Sequence, residues 1–145
     1  MNWLVTAILL VAGGAGLVIQ NVFMLQARTL SGSIWAALWL NSLIGLTLLT
    51  AIVLASDGIR PFARLASAPA LWFLIPGILG TLYVLASLRG YVQFGASITV
   101  GTLVASQLTA GLFFDFWRSG SLTWSAGLGV VFLIVGATLV ARSAG

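Results

Sequence analysis

An all-α, polytopic membrane fold follows from three features of this chain: its apolar composition, five apolar stretches of about twenty residues each, and tryptophans at the ends of those stretches. Hydrophobic residues make up 61% and charged residues 6% of the 145, and the mean hydropathy is +1.17. Such a chain cannot cover itself with a surface that water tolerates. At this length it reads as a single transmembrane domain, residues 1–145, and its function has to reside among the helices.

The same composition excludes several classes. A formal net charge of +4 and a pI near 11.3 would suggest a nucleic-acid partner in a soluble protein, but the arginines are scattered near span ends and none is expected here. With no cysteine and no histidine, a disulfide framework, a thiol nucleophile and the usual transition-metal ligand sets are absent, so neither metal nor cofactor is expected. Two carboxylates without His, Cys or Lys leave few acid–base or nucleophilic options, and the chain is not expected to be an enzyme.

The first span runs from about Trp3 to Leu25, long enough at ~1.5 Å per residue to cross ~30 Å of hydrocarbon. It lacks a basic n-region and a small-residue cleavage site, and so reads as helix one rather than a signal peptide. Ser31-Gly32-Ser33 turns the chain into a second span, residues 34–55. The longest loop follows, through Asp57-Gly58 and Arg60-Pro61 to Arg64. Ser67 and Pro69 supply a cap and an N-terminal proline for a third span, 70–91. A fourth, 96–117, and a fifth, 124–141, are separated by Arg118-Ser119-Gly120-Ser121. Trp3, Trp35, Trp39, Trp72, Trp117 and Trp124 all fall near the ends of these spans, where amphipathic indole rings prefer to sit. Pro76 removes a donor inside span three and predicts a bend or hinge there, eased by Gly77 and Gly80.

With five spans, the N-terminus shares a side with loops two and four, and the C-terminus shares the other with loops one and three. Arg60, Arg64 and Arg118 fall on the first side, and Arg28, Arg89 and Arg142 on the second. This tie gives no net vote under the positive-inside rule. It predicts dual topology, with copies inserted both ways and paired as an antiparallel homodimer. Ten helices related by an axis in the membrane plane make an inverted-repeat bundle, the plan of many secondary transporters.

Polar side chains within hydrocarbon each need a partner or a wet cavity. Gln20, Asn21, Asn41, Tyr83 and Gln107 are therefore the substrate-cavity candidates. Gln107, Gly111 and Asp115 repeat at i, i+4 and i+8 on one helix face, which puts Asp115 roughly 12 Å along the axis from Gln107. Arg89 and Asp115 end neighbouring spans on opposite sides, so inversion of one copy brings them to one membrane level as a coupling or inter-subunit ion pair. Gly13, Gly45, Gly80 and Gly111 are small enough to let helix backbones approach, or to permit sliding. No carboxylate lies near the middle of a span, which disfavours exchange of protons for cationic drugs and favours a neutral or anionic solute.

Leu79-Gly80-Thr81-Leu82-Tyr83-Val84, Gly95-Ala96 and the run from Ser106-Gln107-Leu108 to Asp115 resemble the short YdcZ-like members of the drug/metabolite transporter superfamily. So do Gln20 behind a glycine-rich start and Trp35-Ala36-Ala37 followed by Gly45. The likeness covers nearly the whole chain. It departs at Met24, Ser106 and Phe116-Trp117-Arg118, where the family pattern has an asparagine, a glycine and a glycine-containing turn. The resemblance implies a five-helix half-transporter in a bacterial-type inner membrane. The function expected is export of a small metabolite or drug-like molecule by alternating access, with the lipid bilayer, a second copy and the solute as partners. A small ion channel and a non-transporting membrane subunit are the alternatives.

Overall fold

The computed structural model describes residues 2–67, 71–120 and 124–143. In chain order the helices are α1 (Trp3–Ser31), α2 (Ile34–Ser56), α3 (Arg60–Ser67), α4 (Leu71–Phe94), α5 (Ala96–Ser119) and α6 (Trp124–Ser143). Four of them, α1, α2, α4 and α5, are long and apolar enough to cross a membrane, and Trp124–Val140 of α6 is a shorter apolar helix. The all-helical expectation holds.

Helices α4, α5 and α6 end two or three residues later than expected, and two larger differences each have a local cause. Hydropathy falls after Leu25, but the hydrogen-bonded helix continues to Ser31. Thr29 Oγ1 donates to the Leu25 carbonyl at 2.9 Å, and Arg28 lies in the last turn, where a cation suits the negative end of the helix dipole. What stops α1 is Gly32, with φ +68 in the left-handed region that costs glycine least. The stretch expected as a loop after Asp57 also contains α3. Its eight residues are too short and too polar to register as an apolar span, yet they include the helix formers Ala63, Arg64, Leu65 and Ala66. Ser67, expected to cap span three, instead ends α3, where its hydroxyl donates to the Arg64 carbonyl at 2.9 Å; Pro69 and Ala70, expected at the start of that span, lie outside the described residues.

The chain divides into two compact units, Met1–Leu88 and Arg89–Gly145, with the boundary inside α4. In the first unit α1 and α2 form a helical hairpin. The Ser33 hydroxyl caps α2 by accepting from the Ala36 amide at 3.4 Å. Met24 of α1, Ala37 and Leu38 of α2 and Leu88 of α4 are buried together, flanked by Leu25, Ala27, Ile34, Val84 and Leu85. In lipid this cluster gains packing contacts rather than a hydrophobic driving force, because acyl chains are as apolar as leucine.

In the second unit the tail of α4 turns into α5 at Gly95, φ +82. There the Thr99 side chain packs against the backbone of Gly90: a Cβ placed on Gly90 would lie 2.6 Å from Thr99 Cγ2 and 2.7 Å from Thr99 Oγ1. Thr99 is buried, and its hydroxyl donates to the Gly95 carbonyl at 2.7 Å. Farther along, a Cβ on Gly101 would sit 3.4 Å from Ala137 Cβ, so small residues set the spacing of the α5–α6 hairpin.

The outer surface is apolar. Trp3, Trp72, Trp117 and Trp124 are 77–81% exposed, as expected of rings that lie against lipid and headgroups.

Gly90→Ala is expected to lower stability in detergent by about 1–3 kcal/mol, since threonine is stiff at χ1 and cannot swing aside freely. Thr99→Ala, which removes the two nearest atoms, is expected to recover a large part of that loss in the double variant. Thermal unfolding of all four proteins measures the coupling; strictly additive losses would mean that the crowding is not between these two residues.

Candidate functional site

Hydroxyls inside the spans mostly satisfy themselves. Thr47, Thr81, Thr109 and Thr138 each donate to the carbonyl four residues back, at 2.7–2.9 Å. This local bond needs no neighbouring helix. A carboxamide has more donors and acceptors than one turn of helix can absorb, and the amides of the first unit accordingly reach across.

Gln20 and Asn21 are adjacent on α1, about 100° apart around its axis, and they tie it to two different helices. Gln20 Nε2 donates to Asn41 Oδ1 of α2 at 2.8 Å. Asn21 Oδ1 accepts from the Ser87 hydroxyl of α4 at 3.1 Å, while its Nδ2 donates to the Leu17 carbonyl at 2.9 Å. Asn21 and Ser87 are buried, at 7% and 2% exposure. The Asn21–Ser87 bond is thus a closed structural link, whereas Gln20 and Asn41 are only half-buried.

The half-buried pair lines an open groove of about 300 Å³ between α1 and α2, with Phe23, Met24, Ala27, Ala37, Leu40 and Ile44 along it. At ~30 Å³ per water it has room for about ten waters. Once the Gln20–Asn41 bond is made, the pair still has spare donors and a spare acceptor, whichever way either amide is turned. The site can therefore hydrogen-bond a solute on both sides of the donor–acceptor ledger without offering it a charge.

Of the other expected residues, Tyr83 is half-buried one turn before Ser87 on α4, in the same unit. Gln107, Gly111 and Asp115 are exposed along one face of α5, in the second unit, as is Arg89 near the end of α4. Pro76 is exposed and α4 runs through it without interruption. A Cβ on Gly13, Gly45, Gly80 or Gly111 would meet nothing within 4 Å, so no close approach described in this chain depends on them. Gly90 and Gly101 are the close approaches instead. Ser87 was not among the expected residues, although its position four residues after Tyr83, on one face of α4, was a visible signal.

A neutral amide site in a membrane helix hairpin is consistent with a carrier for small molecules. A family model described as "Putative inner membrane exporter, YdcZ" matches residues 5–139. The chain belongs to this YdcZ family. It is 42% identical over 146 residues to "Inner membrane protein YdcZ" of Escherichia coli (strain K12), with 98% of each chain covered. No solved structure matches it. Family membership and the apolar helices together describe a multi-pass integral protein of the inner membrane.

If the Asn21–Ser87 bond fastens α4 to α1, Asn21→Ala and Ser87→Ala are expected to destabilise the protein non-additively. Their coupling should be about 0.6–1.7 kcal/mol, the range of interhelical hydrogen bonds in membrane bundles. A double-mutant cycle in mixed micelles measures it; zero coupling would remove the bond from the account.

Proposed function

We propose that this YdcZ-family chain is a secondary transporter that exports a small, uncharged, hydrogen-bonding metabolite or drug-like molecule. The observation that carries the reading is the half-buried Gln20–Asn41 pair on an open groove of about 300 Å³, in a chain whose family is described as an inner membrane exporter. Amides held in an apolar wall suit a solute that must shed its water, bind and leave again, since they replace hydration without trapping a charge.

The transporting unit is an antiparallel homodimer. In this reading α6 is the fifth crossing: its 20 residues span ~30 Å at ~1.5 Å each, enough for the hydrocarbon core. Two oppositely inserted copies are related as an inverted repeat, and the three-to-three arginine tie supports insertion both ways. Arg89 and Asp115, both exposed, are free to meet across the pair, where inversion brings the ends of α4 and α5 to one level. Alternating access then follows from exchange between two equivalent openings.

Export is tested by comparing the small-molecule content of cells and medium for the wild type and Asn41→Leu. The wild type is expected to move particular uncharged compounds outward, saturably. The variant should do so about tenfold more slowly, the loss of one net hydrogen bond of ~1.4 kcal/mol, while cross-linking still captures the pair. Unsaturable, very fast flux of ions would replace the carrier with a pore, and unchanged export in the variant would remove the amide pair from the path.

A further inference from the structure

The short helix α3 divides its side chains by chemistry. At 100° per residue, Arg60, Arg64 and Ser67 fall on one face, and Pro61, Phe62, Leu65 and Ala66 on the opposite one. None of its residues is buried: Phe62 is 37% and Leu65 53% exposed, and the preceding Ile59 is 72% exposed. The described protein thus leaves uncovered an apolar face backed by two cations one turn apart.

Continuity of the chain says what covers that face. Between α2, an apolar helix long enough to cross a membrane, and α3 lie three residues, Asp57-Gly58-Ile59. Three residues reach at most about 10 Å, so α3 forms close to the membrane–water boundary at which α2 ends. A helix there with one apolar and one cationic face lies in the plane of the interface, its apolar side chains toward the acyl region and its cations among headgroups. Exposed arginines suit phosphate, which a guanidinium binds through paired hydrogen bonds.

We propose that α3 is an interfacial anchor whose Phe62 and Leu65 enter the lipid surface while Arg60 and Arg64 bind the phosphates of anionic phospholipids. The site is independent of the solute groove and of whether the chain transports. It makes the lipid headgroup a ligand of the loop that carries two of the six arginines, and thereby a weight on the side of the membrane where this loop comes to rest.

The natural absence of cysteine permits a direct test. Ala66→Cys on the apolar face and Ser67→Cys on the cationic face are each labelled with an environment-sensitive fluorophore. The full chain is reconstituted into vesicles of phosphatidylcholine alone or with phosphatidylglycerol in both leaflets, so that either insertion meets the same lipid. With phosphatidylglycerol present, the label at 66 is expected to be quenched by lipids brominated near the glycerol. It should be several-fold less accessible to aqueous iodide than the label at 67. This asymmetry should weaken in phosphatidylcholine alone and in Arg60→Gln/Arg64→Gln, and weaken less in Arg60→Lys/Arg64→Lys, which keeps the charge but not the paired hydrogen bonds. Equal iodide access at both positions would overturn the anchor. Shielding of position 66 without quenching by brominated lipid would mean that protein covers the face, and overturns it too. Asymmetry indifferent to phosphatidylglycerol and to both double variants would overturn the phosphate assignment.

Discussion

In hydrocarbon no water is present to complete a polar group, and this constraint organises the first unit of the chain. Leaving an amide unpartnered costs several kcal/mol, far more than the ~0.6–1.7 kcal/mol that an interhelical bond returns. The amides therefore act by exclusion: arrangements in which Gln20 or Asn21 faces lipid alone are ruled out, and those in which α1 meets partners on two sides remain. Being adjacent, the two residues point in different directions and fasten α2 through Asn41 and α4 through Ser87. Met24, Ala37, Leu38 and Leu88 then pack in the space that these bonds define.

The two amide bonds differ in what they leave over. The Asn21–Ser87 bond is buried and Asn21 also bonds its own helix, so it fixes position. The Gln20–Asn41 bond opens on a groove and leaves the pair with spare donors and a spare acceptor. One closed link and one bond with hydrogen-bonding capacity to spare arise from consecutive residues of a single helix. Every side chain that lines the groove is uncharged, while Arg89 and Asp115 belong to the second unit.

Much of this was legible in the chain. Long apolar runs flanked by tryptophan must be helices in lipid, because only a helix satisfies every backbone group within its own segment; α1, α2, α4 and α5 were legible for that reason. Gln20, Asn21 and Asn41 stood out as costly residues in apolar surroundings, but their pairing depends on which helices adjoin, which no single stretch encodes. Ser87 escaped because serine in a span usually bonds its own backbone, and only Asn21 opposite makes it different. The helix α3 was obscured by its length, since eight residues of mixed polarity give no apolar run. Glycines were the least legible: Gly90 and Gly101 meet neighbours while Gly13, Gly45, Gly80 and Gly111 do not, and the distinction lies in the neighbours rather than in the glycines.

Two copies inserted in opposite senses are what would make the openings on the two sides of the membrane equivalent. The direct measurement is the labelling of Ser143→Cys in intact cells with a membrane-impermeant thiol reagent, before and after permeabilisation. About half-labelling before permeabilisation is the result the account predicts, from the three-to-three division of the arginines. Labelling near zero or near completion would show a single orientation and contradict the antiparallel pair.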